Sequence, residues 1–306
     1  MTKVLSLEEV NRPSFSKMFL AFSLIIFAYA VGFVAAWGLV KLLPATMHIL
    51  WITLIADIGA TLVIFIISVI FNNVSFYDPY WSVQPIAIAI YWMILGINTA
   101  NIIRQIVVLS VVSFWGIRLT LNWARGWKGL KHEDWRYVKY RKDNPKLFWI
   151  IAFTGLEMMP TLVVYLGCLA MYPALVLSNA GFNYLDAIGI TIAVGATLIE
   201  FFADEQMKIF CKMNDNPERV MDLGLWSVSR HPNYFGEVSF WWGVFFFGIG
   251  AAHEWWWTIA GPVAMVLLFL FISIPLMEKR HLNKRPSYVD YKKRVSVFIP
   301  WFPRNK

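Results

Sequence analysis

The sequence predicts an all-α membrane protein, a polytopic bundle of transmembrane helices that forms one integral membrane domain over residues 1–306. Three observations predict this fold class. The chain is 58% hydrophobic and only 15% charged, whereas a soluble domain carries about 25% charged residues. Apolar runs close to the roughly 20 residues that a spanning helix needs recur along the whole chain. The basic residues gather in the segments between these runs.

Taken in order, eight apolar runs are candidates for spanning helices. The first is too long for a signal-peptide core and follows Met1–Lys17, which contains Glu8 and Glu9, so we predict an uncleaved first helix. The third run is short enough to be re-entrant or strongly tilted, and the fifth is long and contains Pro160 and Pro173. We therefore predict seven or eight spans. The runs are Met18–Leu43, His48–Phe71, Val83–Ile97, Ile102–Leu121, Leu147–Leu177, Tyr184–Ala203, Tyr234–Gly250 and Trp255–Met277.

The net charge of +8 is best explained by orientation in the membrane. Of the 27 Lys and Arg residues, 24 lie before the first span, in Asn122–Lys146, in Asp204–Arg230 or after Met277. Eight alternating spans would place these segments on one side, which the positive-inside rule makes cytoplasmic, together with both termini. We expect the lipid bilayer as a partner, and neither nucleic acid nor a protein partner.

Cysteine and histidine usage gives no sign of a metal centre. Cys168 and Cys211 cannot form a disulfide framework, and no CxxC motif occurs. The five histidines never form an i, i+4 ligand pair, so we expect neither a metal nor a haem site.

The polar stretch Ser229–Glu237 runs directly into the apolar run that follows it. Pro232 suits the first turn of a helix, whose positive end would lie beside Arg230 and His231 and favour a phosphate. Within that helix, a second set of polar residues shares one face at i, i+3 and i+4 spacing. The set is Asn233, Tyr234 and Glu237. Anchoring at the headgroups is the alternative, but it does not explain a Glu one turn inside an apolar helix.

Three other polar clusters lie at predicted span ends. Tyr77, Asp78 and Tyr80 form either a structural turn or a group that polarises a substrate carbonyl. A second cluster lies on one helical face, where either lipid anchoring or a phosphate or ribose contact explains it. It consists of Arg118, Asn122 and Arg125. The third is a charged stripe that starts inside an apolar run, made of Glu200, Asp204 and Lys208.

These clusters and the basic tail, which contains Arg280 and Tyr291, together predict a cytoplasmic-side pocket for a phosphorylated, nucleotide-like ligand. No GxGxxG follows a strand and no GxxxxGK[ST] occurs, so a Rossmann domain and a P-loop are excluded. The tail ends in an apolar segment, Phe298–Trp301, that we expect to fold back onto the helices. Asp57 and Glu157 are expected to hydrogen-bond between helices, and Asp186 to be a helix cap or loop residue.

The stretch from Gly224 to Glu237 resembles the signature of bacterial DUF1295 proteins, in the steroid 5α-reductase superfamily. Tyr77–Ser82, Arg118–Trp127 and the tail from Tyr291 to Pro300 are similar to the same family. The resemblance runs from about residue 71 to 301. It implies a bacterial inner-membrane enzyme that reduces a conjugated C=C bond of a lipophilic substrate, such as a steroid, isoprenoid or enoyl lipid, with NADPH.

By motif, Asn233, Glu237 and Asp204 match positions that contact the cofactor in these reductases. Arg230, His231 and Tyr234 are assigned to the same pocket because they lie in the motif, and the tail adds Arg280 and Tyr291. The eukaryotic reductases carry a Gln-Glu-Leu-Pro segment that this chain lacks, and the Tyr77–Tyr80 loop occupies a comparable place.

Two other functions stay open at this stage. The chain also resembles S-adenosylmethionine-dependent isoprenylcysteine carboxyl methyltransferases, which have a related His-Pro…Tyr…Gly…Glu motif. A non-enzymatic protein for lipid binding or transport is the third interpretation. The polar groups gather at one membrane face and mark no path across it, which argues against transport.

Overall fold

The computed structural model describes residues 14–304, and every regular element in that part of the chain is helical. The predicted all-α class is therefore confirmed. Six helical stretches are long and apolar enough to cross a membrane, so the integral membrane class holds but a count of seven or eight spans is not confirmed. The first residues of the predicted N-terminal segment, 1–13, lie outside the described residues.

The α-helices are numbered in chain order. They are α1 (Phe15–Leu42), α2 (Ile49–Ile70), α3 (Tyr80–Leu95), α4 (Ile102–Gly126), α5 (Trp135–Asp143), α6 (Phe148–Ile151), α7 (Met159–Cys168), α8 (Tyr184–Met213), α9 (Pro232–Ala251), α10 (Ala260–Leu268), α11 (Ile274–Lys284) and α12 (Tyr288–Arg294). The six spanning candidates are α1, α2, α4, α8, the stretch Phe148–Cys168 and the stretch His253–Lys284.

Proline and wide helical turns explain where the observed helices depart from the predicted runs. The run Leu147–Leu177 is not one helix, because regular structure breaks after Cys168 and resumes as a short π-helix, Pro173–Leu177. A second π-helical segment, Ala152–Met158, joins α6 to α7, and there the Met159 N–H donates to the Thr154 carbonyl five residues back. Pro160 has no N–H to donate in the following turn, which favours this altered pattern.

The described chain forms two compact units. Unit 1 contains residues up to 85 and 116–162, and unit 2 contains residues 86–115 and those from 163 onward. The single domain predicted over the whole chain stays a prediction, because compact units need not fold independently.

The core of unit 1 is aromatic where α1 and α2 pack together. Small residues, Ala21 and Ala28 on α1 and Ala60 on α2, are almost fully buried in it. The Tyr29 hydroxyl donates to the Phe76 carbonyl over 2.8 Å, which ties α1 to the short 3-10 helix Val74–Phe76. The loop that carries Tyr77, Asp78 and Tyr80 is therefore held inside unit 1.

In unit 2, α8 and α9 pack with their backbones very close. A Cβ added at Gly243 would lie 2.6 Å from the Ala193 nitrogen, and one at Gly236 would lie 2.7 Å from the Ala196 carbonyl oxygen. Small residues at such positions let membrane helices approach and gain dispersion contacts. This packing fixes the axis of α9, and with it the start of that helix at Pro232.

A buried ion pair holds the other end of the same unit. Arg104 contacts Asp186 through two bonds of 2.7 and 2.8 Å and also donates to the carbonyls of Ala180 and Gly181. Both side chains are completely buried. Asp186 is also part of a capping box with Asn183 at the start of α8, so its expected place at a helix cap is confirmed.

Candidate functional site

The fourteen predicted site residues divide between the two units. Unit 1 contains Tyr77, Asp78, Tyr80, Arg118, Asn122 and Arg125, and unit 2 contains Asp204, Arg230, His231, Asn233, Tyr234, Glu237, Arg280 and Tyr291. Each group is described within its own unit. In unit 2, α9 begins at Pro232 as predicted, with His231 as the residue before the helix.

Each described hydrogen bond of the Arg230 guanidinium goes to another group of the protein. Its Nε donates to Glu278 over 2.7 Å, and its Nη1 donates to the carbonyls of Lys292 and Val295. The Lys292 ammonium also lies 2.7 Å from Glu278. The guanidinium thus neutralises a buried carboxylate and holds the chain after α11, two tasks that compete with binding a phosphate.

The tail is attached to the Ser229–Glu237 motif by further bonds. The Ser229 hydroxyl donates to the Phe298 carbonyl over 2.7 Å, and the Tyr291 hydroxyl donates to the Trp226 carbonyl over 2.5 Å. Phe298 also packs edge-on against Phe235. The expectation that the tail folds back is therefore confirmed, and Tyr291, predicted as a cofactor contact, fastens the tail.

His231 is buried beside Glu278, with 3.6 Å between its Nε2 and the carboxylate. Its ring stacks on Tyr234 at 5.3 Å between centroids. Burial lowers the pKa of His231, and the nearby carboxylate opposes that shift without cancelling it. The imidazole is therefore neutral at physiological pH and can take a proton or donate a hydrogen bond.

Asn233 and Glu237 have different surroundings, although they share a face of α9. The Asn233 amide nitrogen donates to Asp204 over 3.4 Å, and its buried side-chain oxygen has no hydrogen-bond partner within residues 14–304. Glu237 accepts 2.9 Å bonds from the indole N–H groups of Trp115 and Trp241. Asn233 thus retains an unused acceptor oxygen, whereas both described bonds of the Glu237 carboxyl come from indole groups of the protein.

In unit 1, Tyr77 and Tyr80 each point their hydroxyl at a buried polar group. Tyr80 donates to Asp57 over 2.9 Å, and Gln84 binds the other oxygen of that carboxyl. The Tyr77 hydroxyl lies 2.8 Å from the Thr161 hydroxyl. Burial raises the pKa of Tyr77, so this phenol keeps its proton. The arrangement offers neutral hydroxyl donors backed by a carboxyl.

Asp78 lies at the edge of this group and is partly exposed. It accepts a 2.5 Å bond from the Tyr137 hydroxyl. Burial raises the pKa of Asp78 from 3.8 to about 6, against the opposing effects of Arg136 and the Tyr137 bond. This carboxyl therefore exchanges protons with water near neutral pH.

The remaining predicted residues occupy helix ends. Arg118 and Asn122 are half-buried and Arg125 is exposed on the last turns of α4, and Arg280 is half-buried on α11. Their roles as cofactor contacts stay predictions. Within residues 14–304 no three His, Cys, Asp or Glu side chains gather closely enough to hold a metal ion.

Sequence reasoning missed several residues that complete these groups. Glu278 had only the signal of an acid at the end of an apolar run. Asp57 was expected to hydrogen-bond between helices, which its bond from Tyr80 confirms, but it was not assigned to the site. The sequence gave no signal for Trp115, Thr161 or Tyr137, because the hydrogen-bond partner of each is brought to it only by the fold.

Comparison with known proteins yields one family and a distant relative. The family described as "Protein of unknown function (DUF1295)" matches residues 64–295, a range that includes all fourteen predicted site residues. An uncharacterized protein of Schizosaccharomyces pombe is 26% identical over 257 residues, which cover 76% of this chain and 74% of the relative. No solved structure matches the chain.

Proposed function

The chain belongs to the DUF1295 family, and from that premise we propose that it is a membrane oxidoreductase that reduces a conjugated C=C bond of a lipophilic substrate with NADPH. The single observation that carries the proposal is the buried Tyr80–Asp57 pair in unit 1. A steroid, isoprenoid or enoyl lipid is the substrate class, because the site lies among apolar and aromatic side chains.

The Tyr80–Asp57 pair supports this chemistry through hydrogen bonding. Reduction of an enone places negative charge on the carbonyl oxygen, and a preorganised donor in a water-poor site stabilises that charge strongly. With Asp57 protonated, its O–H donates to the Tyr80 oxygen, and Tyr80 is free to donate to the substrate carbonyl. Gln84 fixes the second oxygen of Asp57 and keeps the carboxyl oriented. Tyr77, bonded to Thr161, offers a second neutral donor.

The polar residues of unit 2 suit the amide and ribose groups of NADPH. The unpartnered oxygen of Asn233 accepts an amide N–H, and the Asp204 carboxylate suits a ribose hydroxyl. Arg230 is bound to Glu278 and to tail carbonyls, so the phosphates would rely on other cations of the motif and tail. When bound, NADPH supplies two electrons and one hydrogen to the alkene.

Ligand-induced stabilisation tests this proposal. NADPH should raise the unfolding temperature in detergent, since a ligand at a hundred times its Kd stabilises the native state by about 2.7 kcal/mol. Replacement of Asn233 by Leu should abolish the shift, whereas Asn283→Leu, at an exposed site on α11, should not. Absence of any shift with NADPH and NADP contradicts the proposal.

Turnover measurements separate cofactor binding from the proposed hydrogen bond of Tyr80 to the substrate carbonyl. With a steroid 4-en-3-one or an isoprenoid enone as the probe, Tyr80→Phe should retain the NADPH-induced thermal shift and lose NADPH oxidation. Equal oxidation rates for Tyr80→Phe and the unaltered protein would remove Tyr80 from the mechanism.

One observation favours a second function, an S-adenosylmethionine-dependent methyltransferase. Because the described bonds of Arg230 go to protein groups, unit 2 offers more to a ribose and an adenine than to phosphates, and S-adenosylmethionine has no phosphate. Stabilisation by this compound and by none of the nicotinamide nucleotides would select the methyltransferase.

The location proposed for the enzyme is a bacterial inner membrane, with the basic segments and both termini on the cytoplasmic side. The concentration of Lys and Arg between the apolar runs supports the orientation, and the resemblance to bacterial proteins supports the membrane. Labelling of cysteines introduced in the segment Asn122–Lys146, in intact cells and after lysis, tests the orientation.

A further inference from the structure

The C-terminal segment of unit 2, residues 295–304, presents large apolar side chains on its outer face. Ile299, Trp301 and Phe302 are 62%, 70% and 83% exposed. Phe298 in the same segment is buried and packs against the protein. Contiguous apolar surface on the outside of a protein marks an interaction site, whereas single exposed apolar residues need no explanation. The three exposed residues therefore call for a partner.

Hydrogen bonds fix the backbone of the C-terminal segment. The Trp301 N–H donates to the Val228 carbonyl over 2.9 Å, and the Arg230 N–H donates to the Ser296 carbonyl over 2.8 Å. The bond from the Ser229 hydroxyl to the segment, described above, lies between these two. The exposed side chains are thus presented by a backbone that is held beside residues 228–230, directly before α9.

The attachment points lie at the level where the apolar runs of two spanning helices end. The run in α8 ends at Ala203, whose carbonyl accepts a 3.0 Å bond from the Trp226 indole N–H. The last run of the chain ends at Met277, and the next residue, Glu278, accepts a 2.7 Å bond from Arg230. Residues 226–230, and the segment bonded to them, therefore lie at the membrane boundary of unit 2.

The headgroup region of the bilayer is the environment that suits such a segment. Tryptophan is enriched at membrane–water interfaces, and apolar side chains of interfacial segments reach the boundary between headgroups and acyl chains. Residues 295–306 contain no Asp or Glu, and Arg304 and Lys306 follow the apolar residues. Their positive charge favours the phosphates of lipid headgroups.

We propose that Ile299, Trp301 and Phe302 form an interfacial membrane anchor, in which their side chains insert among lipid headgroups beside the start of α9. The partner is the bilayer surface itself. The anchor would hold the C-terminal segment, and the Ser229–Glu237 motif bonded to it, at a fixed depth. It requires no reaction, so its test is independent of the proposed reductase chemistry.

A fluorescent label beside the anchor tests the insertion in the full chain, reconstituted in vesicles of neutral phosphatidylcholine. Cys211→Ser first removes the exposed cysteine. An environment-sensitive label at Pro303→Cys should then emit at a shorter wavelength than the same label at Asp290→Cys, an exposed position on α12. Lipids with a nitroxide near the headgroup should quench the first label more strongly than the second. Equal emission and equal quenching at the two positions overturn the proposal.

Substitution of the three anchor residues by Ser tests which side chains insert. Because these side chains are exposed, the triple variant should keep its unfolding temperature in detergent, while the label at position 303 loses its lipid quenching. Ile209→Ser with Met213→Ser removes exposed apolar surface from α8 and is the matched control, in which quenching should persist. Full quenching in the anchor variant contradicts the proposal.

Nanodiscs that hold one chain each separate the bilayer from a second copy of the protein. Quenching of the label at position 303 should be the same in these discs as in vesicles. A short emission wavelength that appears only in discs with two copies would assign the segment to a contact between copies. A short wavelength without lipid quenching would mean that the chain itself covers the segment. Either outcome overturns the membrane anchor.

Discussion

Asp186 in unit 2 and Asp57 in unit 1 are both buried acids of apolar helices, but their partners differ in charge. Asp186 is bound by the Arg104 guanidinium, which also satisfies two backbone carbonyls. The described partners of Asp57 are the neutral side chains Tyr80 and Gln84. A charged, saturated pair has one stable arrangement, whereas a carboxyl among neutral donors can change its protonation. The difference separates structural from functional use of acids in this chain.

The largest expected effect comes from breaking the charged pair. Arg104→Met leaves Asp186 buried without its cation, so the free energy of unfolding should fall by about 3–5 kcal/mol. Denaturant or thermal unfolding in detergent measures this loss. Arg125→Met, at an exposed position on α4, should change stability little. A loss no larger than that of the Arg125 variant would mean that the pair is not structural.

A double substitution sharpens the same point. Arg104→Met combined with Asp186→Leu removes both charges, so it should recover much of the stability lost in the single variant. Double-mutant analysis of the two changes gives the coupling directly. Additive losses would contradict a direct interaction between the two side chains.

The next largest effect is expected at Arg230, whose charged bonds join the motif to the tail. Arg230→Met should lower stability by about 1.5–3 kcal/mol, because Glu278 keeps the Lys292 ammonium as a partner. The tail should also be cut faster by trypsin after Lys293 or Arg294. Asp290→Asn, which removes an exposed ion pair with Lys293 and leaves both cleavage sites in place, is the control. Unchanged cleavage in Arg230→Met would show that the other tail bonds suffice.

Features of the fold that depend on local composition were predictable from the sequence, whereas features that depend on distant partners were not. Apolar runs follow directly from composition, so the all-α membrane class and most spanning helices were predictable. The start of α9 at Pro232 was also predictable, because proline is favoured in the first turn of a helix. The break after Cys168 was not, since the run Leu147–Leu177 is apolar on both sides of that residue and hydropathy does not register wide turns.

The chemical types of the site residues were predictable from the sequence, but their bonding partners were not. Arg230 and Tyr291 were read as ligand contacts because their spacing and chemistry suit anions, yet in the fold both hold the tail. That outcome depends on carbonyls of Lys292 and Trp226, and the position of a backbone carbonyl leaves no trace in a sequence. Asp57 was visible as an acid in an apolar run, but its bond to Tyr80 required the fold.

Asp57→Asn tests whether Asp57, whose described partners are neutral, is needed for the proposed chemistry and not for stability. Asn accepts from Tyr80 and can donate to the side-chain oxygen of Gln84, which has no described partner, so stability should change by less than about 1 kcal/mol. NADPH oxidation with an enone probe should be lost, because Asn cannot relay a proton to Tyr80. A destabilisation as large as that of Arg104→Met would mean that Asp57 is a structural charge.

The smallest expected effect is the pH dependence due to Asp78. Its pKa rises from 3.8 to about 6 in the folded protein, so the native state binds the proton more tightly than the unfolded chain. The resulting stability is complete below pH 3.8 and is lost as pH rises through about 6. Because Asp78 is partly exposed, solvent screening reduces the loss to about 1 kcal/mol. In Asp78→Asn this component of the stability–pH curve should disappear, whereas Asp290→Asn, at an exposed site, should retain it. An unaltered curve in Asp78→Asn would place the proton elsewhere.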